Sequence, residues 1–321
     1  MVMAKIYGRP DSELEILSEA PRHIEKFEDI DKEHKKLKDE LAKEKKVFFE
    51  KVPNKLGEEE QKLEKMKNDE KITEQEFDEK LRNLEGKKTE GGFTGFSASF
   101  KGYLVKNYSK KRAINKIKNL QEKQESHIKE WKENPEGIFN KEQEETISQI
   151  EEFDELKEDP FYAGAKGEVD VLKKLSQLSD DYHVLCGLHI ELPHYVTYKG
   201  RKNLGSAQMD FVVISKRGVI LIEVKNWSRG YSKKYAGLSP HEQVDRAGMV
   251  LWITLKSWRS PKNTSVTSVL LSVQGNMEFN YDYKFVNVKD LNNINYFIEN
   301  RREQFSDKEV ERVVDRLRKF L

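Results

Sequence analysis

The chain has 321 residues, of which 36% are charged and 10% aromatic, and its formal net charge is +1 at pH 7. No apolar run approaches the roughly 20 residues that a membrane helix needs, and the N-terminus lacks the apolar core of a signal peptide, so we expect no membrane association. The single cysteine, Cys186, excludes disulfide bonds within the chain and predicts a cytoplasmic protein.

The small net charge conceals two halves of opposite sign. Residues 1–158 hold 33 Lys and Arg against 38 Asp and Glu, whereas residues 159–321 hold 25 against 19. The second half is therefore the basic half, as expected of a domain that binds a polyanion. The excess is modest, so it permits nucleic-acid binding without requiring it.

Residues 1–158 are predicted to form an all-α, coiled-coil-like domain. From about Arg22, apolar or neutral residues recur at alternating spacings near three and four, which indicates a narrow seam between paired helices. Pro53 is predicted to interrupt this stripe, and the glycine-containing residues 87–95 to separate two helical segments. Such helices fold back most simply as antiparallel hairpins. A partner-binding, dimerising or DNA-clamping arm and a solvated structural bundle are both open.

The second half begins after Asp159-Pro160 with a predicted helix that opens at residues 164–168 (GAKGE) and runs to about Leu178. Glu168 precedes Val171 and Leu172 by three and four residues, so it shares the apolar face that packs on the sheet. A carboxylate among apolar neighbours needs a partner. A metal ion, a helix cap and a salt bridge are the open alternatives.

Basic residues occur beside the next predicted strands. Residues 183–192 predict a strand, residues 198–203 a basic turn, and more basic residues follow in the loop after Trp227. A solvated surface role and a contact with phosphate groups both remain open for them. The candidates for nucleic-acid binding are Lys166, Lys199, Arg201, Lys202, Arg229, Lys233 and Lys234.

Residues 208–227 predict two apolar strands joined by a turn at residues 216–218. If the loop has two residues, Asp210 faces Glu223 with Cβ atoms about 4.5–5.5 Å apart. The aliphatic residues around them are typical of a sheet that is covered on both faces. Two acids there would repel each other unless they shared a proton, a basic partner or a divalent metal. Lys225 lies on the face of Glu223 because side chains alternate along a strand.

The loop after these strands ends in a helix start at residues 239–242 (SPHE), with Ser239 as the N-cap and Glu242 closing a capping box. Gln243 follows in the first turn. It is either structural or suited to orient a metal-bound water, Lys225 or a phosphate. Two strands and two closing helices are expected beyond it, at residues 266–272, 283–288, 291–299 and 307–321.

The order of these motifs resembles a known family. Asp210 followed by Glu223-Val224-Lys225 resembles the D…ExK core of the PD-(D/E)XK nuclease superfamily. Residues 164–168, residues 222–227 (IEVKNW) and Gln243 make the chain similar, more narrowly, to the nuclease-related domain (NERD) branch, over roughly residues 161–321. The resemblance implies an α/β fold for residues 159–321, with a restriction-endonuclease-like mixed sheet flanked by helices.

The resemblance also implies a nuclease dependent on Mg²⁺ or Mn²⁺ that acts on DNA, with RNA as a second substrate. Hard oxygen ligands for the ion would come from Glu168, Asp210, Glu223 and the carbonyl group of Val224. The residues with expected catalytic roles are Asp210, Glu223, Lys225 and Gln243. One alternative is a catalytically silent fold kept for nucleic-acid binding or assembly, and another is an interaction protein that dimerises or binds a protein partner through its helical domain.

Overall fold

The computed structural model describes residues 3–88, 92–227, 238–258, 264–275 and 277–321. The chain divides into two compact units, of which the first comprises Met1–His34 with Glu151–Leu321 and the second comprises Lys35–Ile150. This division differs from the boundary predicted after residue 158, because the N-terminal residues and residues 151–158 lie in the unit that holds the sheet. Among the described residues, no helix is both long and apolar enough to cross a membrane.

Six strands form one mixed sheet in the order β1-β2-β3-β4-β5-β6. The pairs β2–β3 and β3–β4 are antiparallel, and the other three neighbouring pairs are parallel. The strands are Lys5–Tyr7 (β1), His183–Tyr198 (β2), Arg201–Ser215 (β3), Gly218–Lys225 (β4), Val266–Ser272 (β5) and Val286–Asp290 (β6). The expected α/β architecture is confirmed: a mixed sheet with flanking helices follows a long helical region in the sequence.

Ten α-helices are described. They are Asp11–Glu19 (α1), Phe27–Lys88 (α2), Gly92–Leu104 (α3), Lys111–Glu133 (α4), Pro135–Glu142 (α5), Glu144–Glu158 (α6), Pro160–Leu175 (α7), Pro240–Ser257 (α8), Ile294–Glu299 (α9) and Asp307–Leu317 (α10). A π-helical segment at Val105–Lys110 joins α3 to α4, and 3₁₀ turns occur at Tyr281–Tyr283 and Arg318–Phe320.

The predicted interruption at Pro53 is wrong, because this proline lies inside the 62-residue helix α2. A proline in a helix interior removes one backbone hydrogen bond and costs about 3 kcal/mol. Tertiary contacts offset this cost nearby, since Val52 is buried and the Glu59 carboxylate accepts a hydrogen bond from Gln124 Nε2 at 2.6 Å.

In the second unit, α2 and α4 pack as an antiparallel pair. Gln124 contacts Glu59, Gln121 Nε2 donates to Glu70 at 2.9 Å, and Lys110 pairs with Asp78. Residue numbers that rise along α2 therefore meet numbers that fall along α4. The predicted antiparallel helical hairpin is confirmed.

Both faces of the sheet are covered, as the apolar strands predicted. Helices α8 and α10 cover one face and α7 and α9 the other. The first core includes Val212, Ile214, Leu221, Val250, Leu251 and Val313, and the second includes Phe211, Val213, Ile222, Val171, Leu175 and Ile298. Each such side chain contributes about 1.5–3 kcal/mol through its burial, so the two cores hold β3 and β4 firmly in place.

Several elements differ in extent from the predictions. Strand β2 continues to Tyr198, which reduces the predicted basic turn to Lys199-Gly200, and both residues have positive φ angles, of 45° and 80°. Strand β6 begins at Val286, three residues later than expected. The predicted N-cap of α8 is confirmed, since Ser239 Oγ accepts a hydrogen bond from the Glu242 backbone N–H at 3.1 Å.

Candidate active site

The hairpin of β3 and β4 has the predicted register. Residues 216–217 form a two-residue loop, Ser215 pairs with Gly218, and Gly218 has the positive φ angle, 100°, that a glycine adopts without strain. Pairing continues from there to the position just before Asp210 on one strand and Glu223 on the other. The two acids therefore occupy the next facing positions of the hairpin, where the strands end their pairing.

A change in the side-chain alternation of β3 occurs at Asp210. Met209 and Val212 belong to the core under α8, whereas Phe211 belongs to the core under α7. Strict alternation would place Met209 and Phe211 on the same side. On β2, Gly187 stands opposite Asp210 with a φ angle of 68°, so both strands are irregular at this point. Irregularities of this kind redirect a side chain and are frequent beside active sites.

Two close contacts fix the acids of the hairpin. Asp210 Oδ2 accepts a hydrogen bond from the backbone N–H of Val224 at 2.7 Å. Glu223 Oε1 lies 2.8 Å from Lys225 Nζ, and the two side chains are only 11% and 17% exposed. Glu223 and Lys225 are thus an ion pair largely shielded from water, on one face of β4 as the alternation predicted.

Glu168 joins this cluster from α7. Its partial burial raises the pKa of the carboxyl group to about 7, and the charges of Glu223 and Asp11 act in the same direction. The nearby Ser12 hydroxyl group and the charge of Lys225 oppose this increase. Glu168 therefore lies within electrostatic range of both members of the ion pair.

The pKa of Asp210 is raised for similar reasons. Burial, followed by the charges of Glu223 and Glu168, holds the pKa of Asp210 well above its usual range. The charge of Lys225 and the hydrogen bond from Val224 only partly compensate. The structure thus brings the three predicted acids from α7, β3 and β4 into one interacting group around one lysine.

A cavity of about 610 Å³ opens beside this group. Its lining combines Glu168 and Asp210, but not Glu223, with aromatic and amide side chains, and its other described members include Asp11, Phe161, Gln208, Val224, Lys225, Asn226 and Trp227. The cavity is therefore large enough for a substrate group and presents carboxylates, an amine and apolar rings together.

Residues from the N-terminal segment line this cavity, and the sequence analysis missed them. Gln208 Nε2 donates a hydrogen bond to Asp11 Oδ2 at 2.6 Å, and Ser12 lines the cavity together with Glu168. Helix α1 packs directly on α7. No local pattern in the sequence indicates that Asp11 and Ser12 meet residues about 150–200 positions away.

The approach of α7 to β4 depends on Gly167. A Cβ atom at this position would lie 2.6 Å from Asn226 Cβ, which is closer than such atoms can pack. Asn226 Nδ2 in turn donates to the Ala163 carbonyl at 2.8 Å. Gly167 thus permits the close contact that places Glu168 beside the end of β4.

Gln243 occupies the first turn of α8 and is partly buried. Helix α8 packs on the core that includes Val219 and Leu221, and alternation along β4 assigns Glu223 to the same side. The described lining of the cavity contains Lys225 but not Gln243. Its predicted role beside Lys225 remains a prediction.

Two of the basic candidates, Lys166 and Lys199, have side chains that the structure describes. Lys166 Nζ lies 4.0 Å from Asp31, and Lys199 Nζ lies over the Tyr283 ring, 3.5 Å from its centroid. Arg201 and Lys202 begin β3, but their side chains are not described. Arg229, Lys233 and Lys234 lie outside the described residues. Neither Lys166 nor Lys199 is in the described lining of the cavity, and the phosphate contacts of all seven candidates remain predictions.

The donors at the cavity fit Mg²⁺ or Mn²⁺ chemically, since carboxylate and carbonyl oxygens are the ligands that these hard cations prefer. Burial, followed by the charges of neighbouring acids, raises the pKa values of Glu168 and Asp210, and a bound divalent cation would favour their charged forms. Within the described parts of the chain, no three His, Cys, Asp or Glu side chains form a ready-made metal-ligand group. Glu223 and Asp210 are instead engaged by Lys225 and the Val224 N–H.

A family comparison agrees with this geometry. The family model of the nuclease-related domain (NERD) matches residues 163–272, from the start of α7 to the end of β5. Comparisons with curated proteins and with solved structures gave no match. The matched segment contains Glu168, Asp210, Glu223, Lys225 and Gln243. Residues 163–272 are therefore similar to a nuclease-related domain, and the long helix α2 precedes them in the sequence.

Proposed function

We propose that the chain is a metal-dependent nuclease that hydrolyses phosphodiester bonds, with DNA as its first substrate and RNA as the second to be tested. The observation that supports this most is that Glu168, Asp210 and Lys225 line one cavity, while Glu223 pairs with Lys225 and lies within electrostatic range of both other acids. The nuclease-related domain provides independent support. The positive balance of residues 159–321 suits a polyanionic substrate.

The residues around the cavity have distinct roles in this proposal. Glu168, Asp210, Glu223 and the Val224 carbonyl would hold Mg²⁺ or Mn²⁺, which when bound polarises a phosphate and lowers the pKa of a water molecule. The backbone N–H of Val224 orients the Asp210 carboxylate. Lys225 donates to a phosphate oxygen and so stabilises the negative charge that develops in the transition state. Gln243 would assist by orienting Lys225 or a phosphate.

For the α2–α4 hairpin we propose a role in holding a partner, a second copy of the chain or the substrate. The hairpin is crossed by ion pairs such as Lys67–Glu125 and Lys132–Glu60, and its outer faces are rich in charged residues. Such a surface suits polar contacts more than burial in a larger core. Light scattering of the full chain separates the second-copy role from the other two.

The test of the proposed activity uses the purified full chain and end-labelled single-stranded DNA, duplex DNA and RNA. We expect shortened products with Mg²⁺ or Mn²⁺ and intact substrate in EDTA, because hydrolysis depends on the ion. Substrates that stay intact with both metals would overturn the proposed activity.

A catalytically silent nucleic-acid-binding module is the second candidate. Two contacts favour it, because the Glu223–Lys225 ion pair and the Asp210–Val224 hydrogen bond already engage the acids. This alternative predicts nucleic-acid binding in EDTA that is the same for the wild-type chain and for Asp210→Asn, together with intact substrate in the cleavage assay.

A further inference from the structure

A second cavity, of about 680 Å³, lies beside Ser272, the last residue of β5. It runs along β6, the last strand of the sheet, and α9 forms its opposite wall. The side chains that matter here are Lys289, Asn293, Tyr296, Phe297, Asn300 and Arg301. We call this cavity the β6 groove. Its size is that of a pocket for a small organic ligand, about one or two nucleotides, and not that of a duplex.

Two cations flank one aromatic ring in the β6 groove. Lys289 Nζ lies 4.7 Å and Arg301 Cζ lies 5.4 Å from the centroid of the Phe297 ring. Phe297 packs on the core beneath α9, which fixes the ring. The neighbouring Tyr296 is 70% exposed, so a second ring is available at the surface.

Arg301 carries a guanidinium group that is partly buried. Its Nε atom is buried and makes no hydrogen bond with any described residue, and burial lowers the pKa of its guanidinium group. Among the described residues, no carboxylate forms a salt bridge with Arg301 or with Lys289. A partly desolvated cation without a counter-ion raises the free energy of the folded chain, and a bound anion would lower it again.

Among the described residues that line the β6 groove, Asp290 is the one acid, and its carboxylate is already hydrogen-bonded. Asp290 accepts hydrogen bonds from the backbone N–H groups of Asn292 and Asn293 and from Asn293 Nδ2, at 2.6–3.0 Å. Asp290 therefore stabilises the turn that follows β6 and does not form an ion pair with either of the two cations. With Arg302 also in the lining, the groove is positively charged.

The groove opens close to the candidate active site. Lys225 pairs with Ser272 across β4 and β5, and Ser272 pairs with Asp290 across β5 and β6. Two strand spacings separate Lys225 from Asp290, a distance of about 10 Å. Ser272 lines the β6 groove, and Gln274, two residues later, lines the active-site cavity. The two cavities are therefore close enough for neighbouring nucleotides of one strand.

We propose that the β6 groove binds nucleotides of one unpaired nucleic-acid strand next to the bond held at the active site, with bases against Tyr296 and Phe297 and phosphates on Lys289 and Arg301. Aromatic rings interleaved with cations are the general means by which proteins bind single strands without reading sequence. This inference deepens the proposed nuclease function. It rests on that function for the statement that the strand continues into the active site.

The test measures binding and does not require catalysis. Fluorescence anisotropy of a labelled ten-nucleotide single-stranded DNA is recorded with the full chain in EDTA, over a series of salt concentrations. The variants are Lys289→Met, Arg301→Met and Tyr296→Ala, and Lys308→Met, an exposed lysine of α10, is the matched control. Methionine keeps the packing of the side-chain stem on Phe297 while it removes the charge.

Each lost cation is expected to raise Kd about fivefold near 0.1 M salt and to reduce the slope of log K against log salt by about 0.7. Tyr296→Ala is expected to raise Kd about tenfold through lost stacking. Lys308→Met should match the wild-type chain. Unchanged Kd and salt slope in the three groove variants would overturn the proposal. A mononucleotide that competes as well as the oligonucleotide would overturn the strand assignment.

The two proposals fail in different ways. Groove-dependent binding by a chain that leaves all substrates intact would sustain the groove and remove the nuclease. Cleavage by a chain whose groove variants bind and cut as the wild type does would sustain the nuclease and remove the groove.

Discussion

Replacing Glu223 by Gln or Lys225 by Met is expected to lower the rate of phosphodiester hydrolysis with saturating Mg²⁺ by about a hundredfold to a thousandfold. Removal of one group that stabilises developing charge costs this much in other active sites. Glu223→Gln removes a ligand charge, and Lys225→Met removes the only described amine in the lining of the cavity. The measurement is the single-turnover rate on a labelled DNA oligonucleotide.

Matched controls separate a chemical loss from unfolding. Glu299→Gln and Lys308→Met alter exposed residues of α9 and α10 and should leave the rate within about twofold of the wild-type rate. Lys225→Met removes the ion-pair partner of the largely buried Glu223 carboxylate. The melting temperature of this variant is therefore recorded together with its rate. A folded Glu223→Gln chain that cuts as fast as the wild-type chain would refute the role of this acid.

Glu168→Gln is expected to stabilise the metal-free chain at pH 8 and to have little effect on stability at pH 4.5. The folded-state pKa of Glu168, about 7, exceeds its ordinary value of 4.5 because of burial and the neighbouring acids. The folded state therefore favours the protonated form. The unfavourable contribution of the charged form is absent below about pH 4.5, grows as the pH rises and is complete above about pH 7, where it reaches at most about 3 kcal/mol.

Urea unfolding of both chains in EDTA, at several pH values from 4.5 to 8, measures this difference in the free energy of unfolding. Asp210 adds its own pH dependence to both chains, so the informative quantity is the difference between them. Glu299→Gln is the control for the loss of an exposed charge and should follow the wild-type curve. Parallel curves for wild type and Glu168→Gln would show that Glu168 is not in the acid cluster.

The hairpin of the site was predictable because its determinants are local. A glycine that follows a two-residue loop sets the turn, and the turn sets which residues of β3 and β4 face each other. Alternation then assigns Lys225 to the face of Glu223, where the structure has it. The apolar residues around them predicted the covering of both faces for the same reason.

The rest of the site depends on contacts that local patterns do not encode. Strand β1 has three residues, too few for a period, yet it pairs with β2 and leads into α1, which carries Asp11 to the cavity. The irregularity at Asp210 involves Gly187 on another strand. The cations of the β6 groove lie twelve residues apart and form no motif in the sequence.

The central claim is that Glu168, Asp210 and Glu223 hold one divalent cation, and isothermal titration calorimetry with Mn²⁺ on the full chain tests it most directly. We expect binding near pH 7 with release of protons, because Glu168 must lose its proton on binding, and a Kd raised tenfold or more by Asp210→Asn or Glu223→Gln. Glu299→Gln should bind as the wild type does. Absence of Mn²⁺ binding in the wild-type chain, or equal binding by all four chains, would contradict the account.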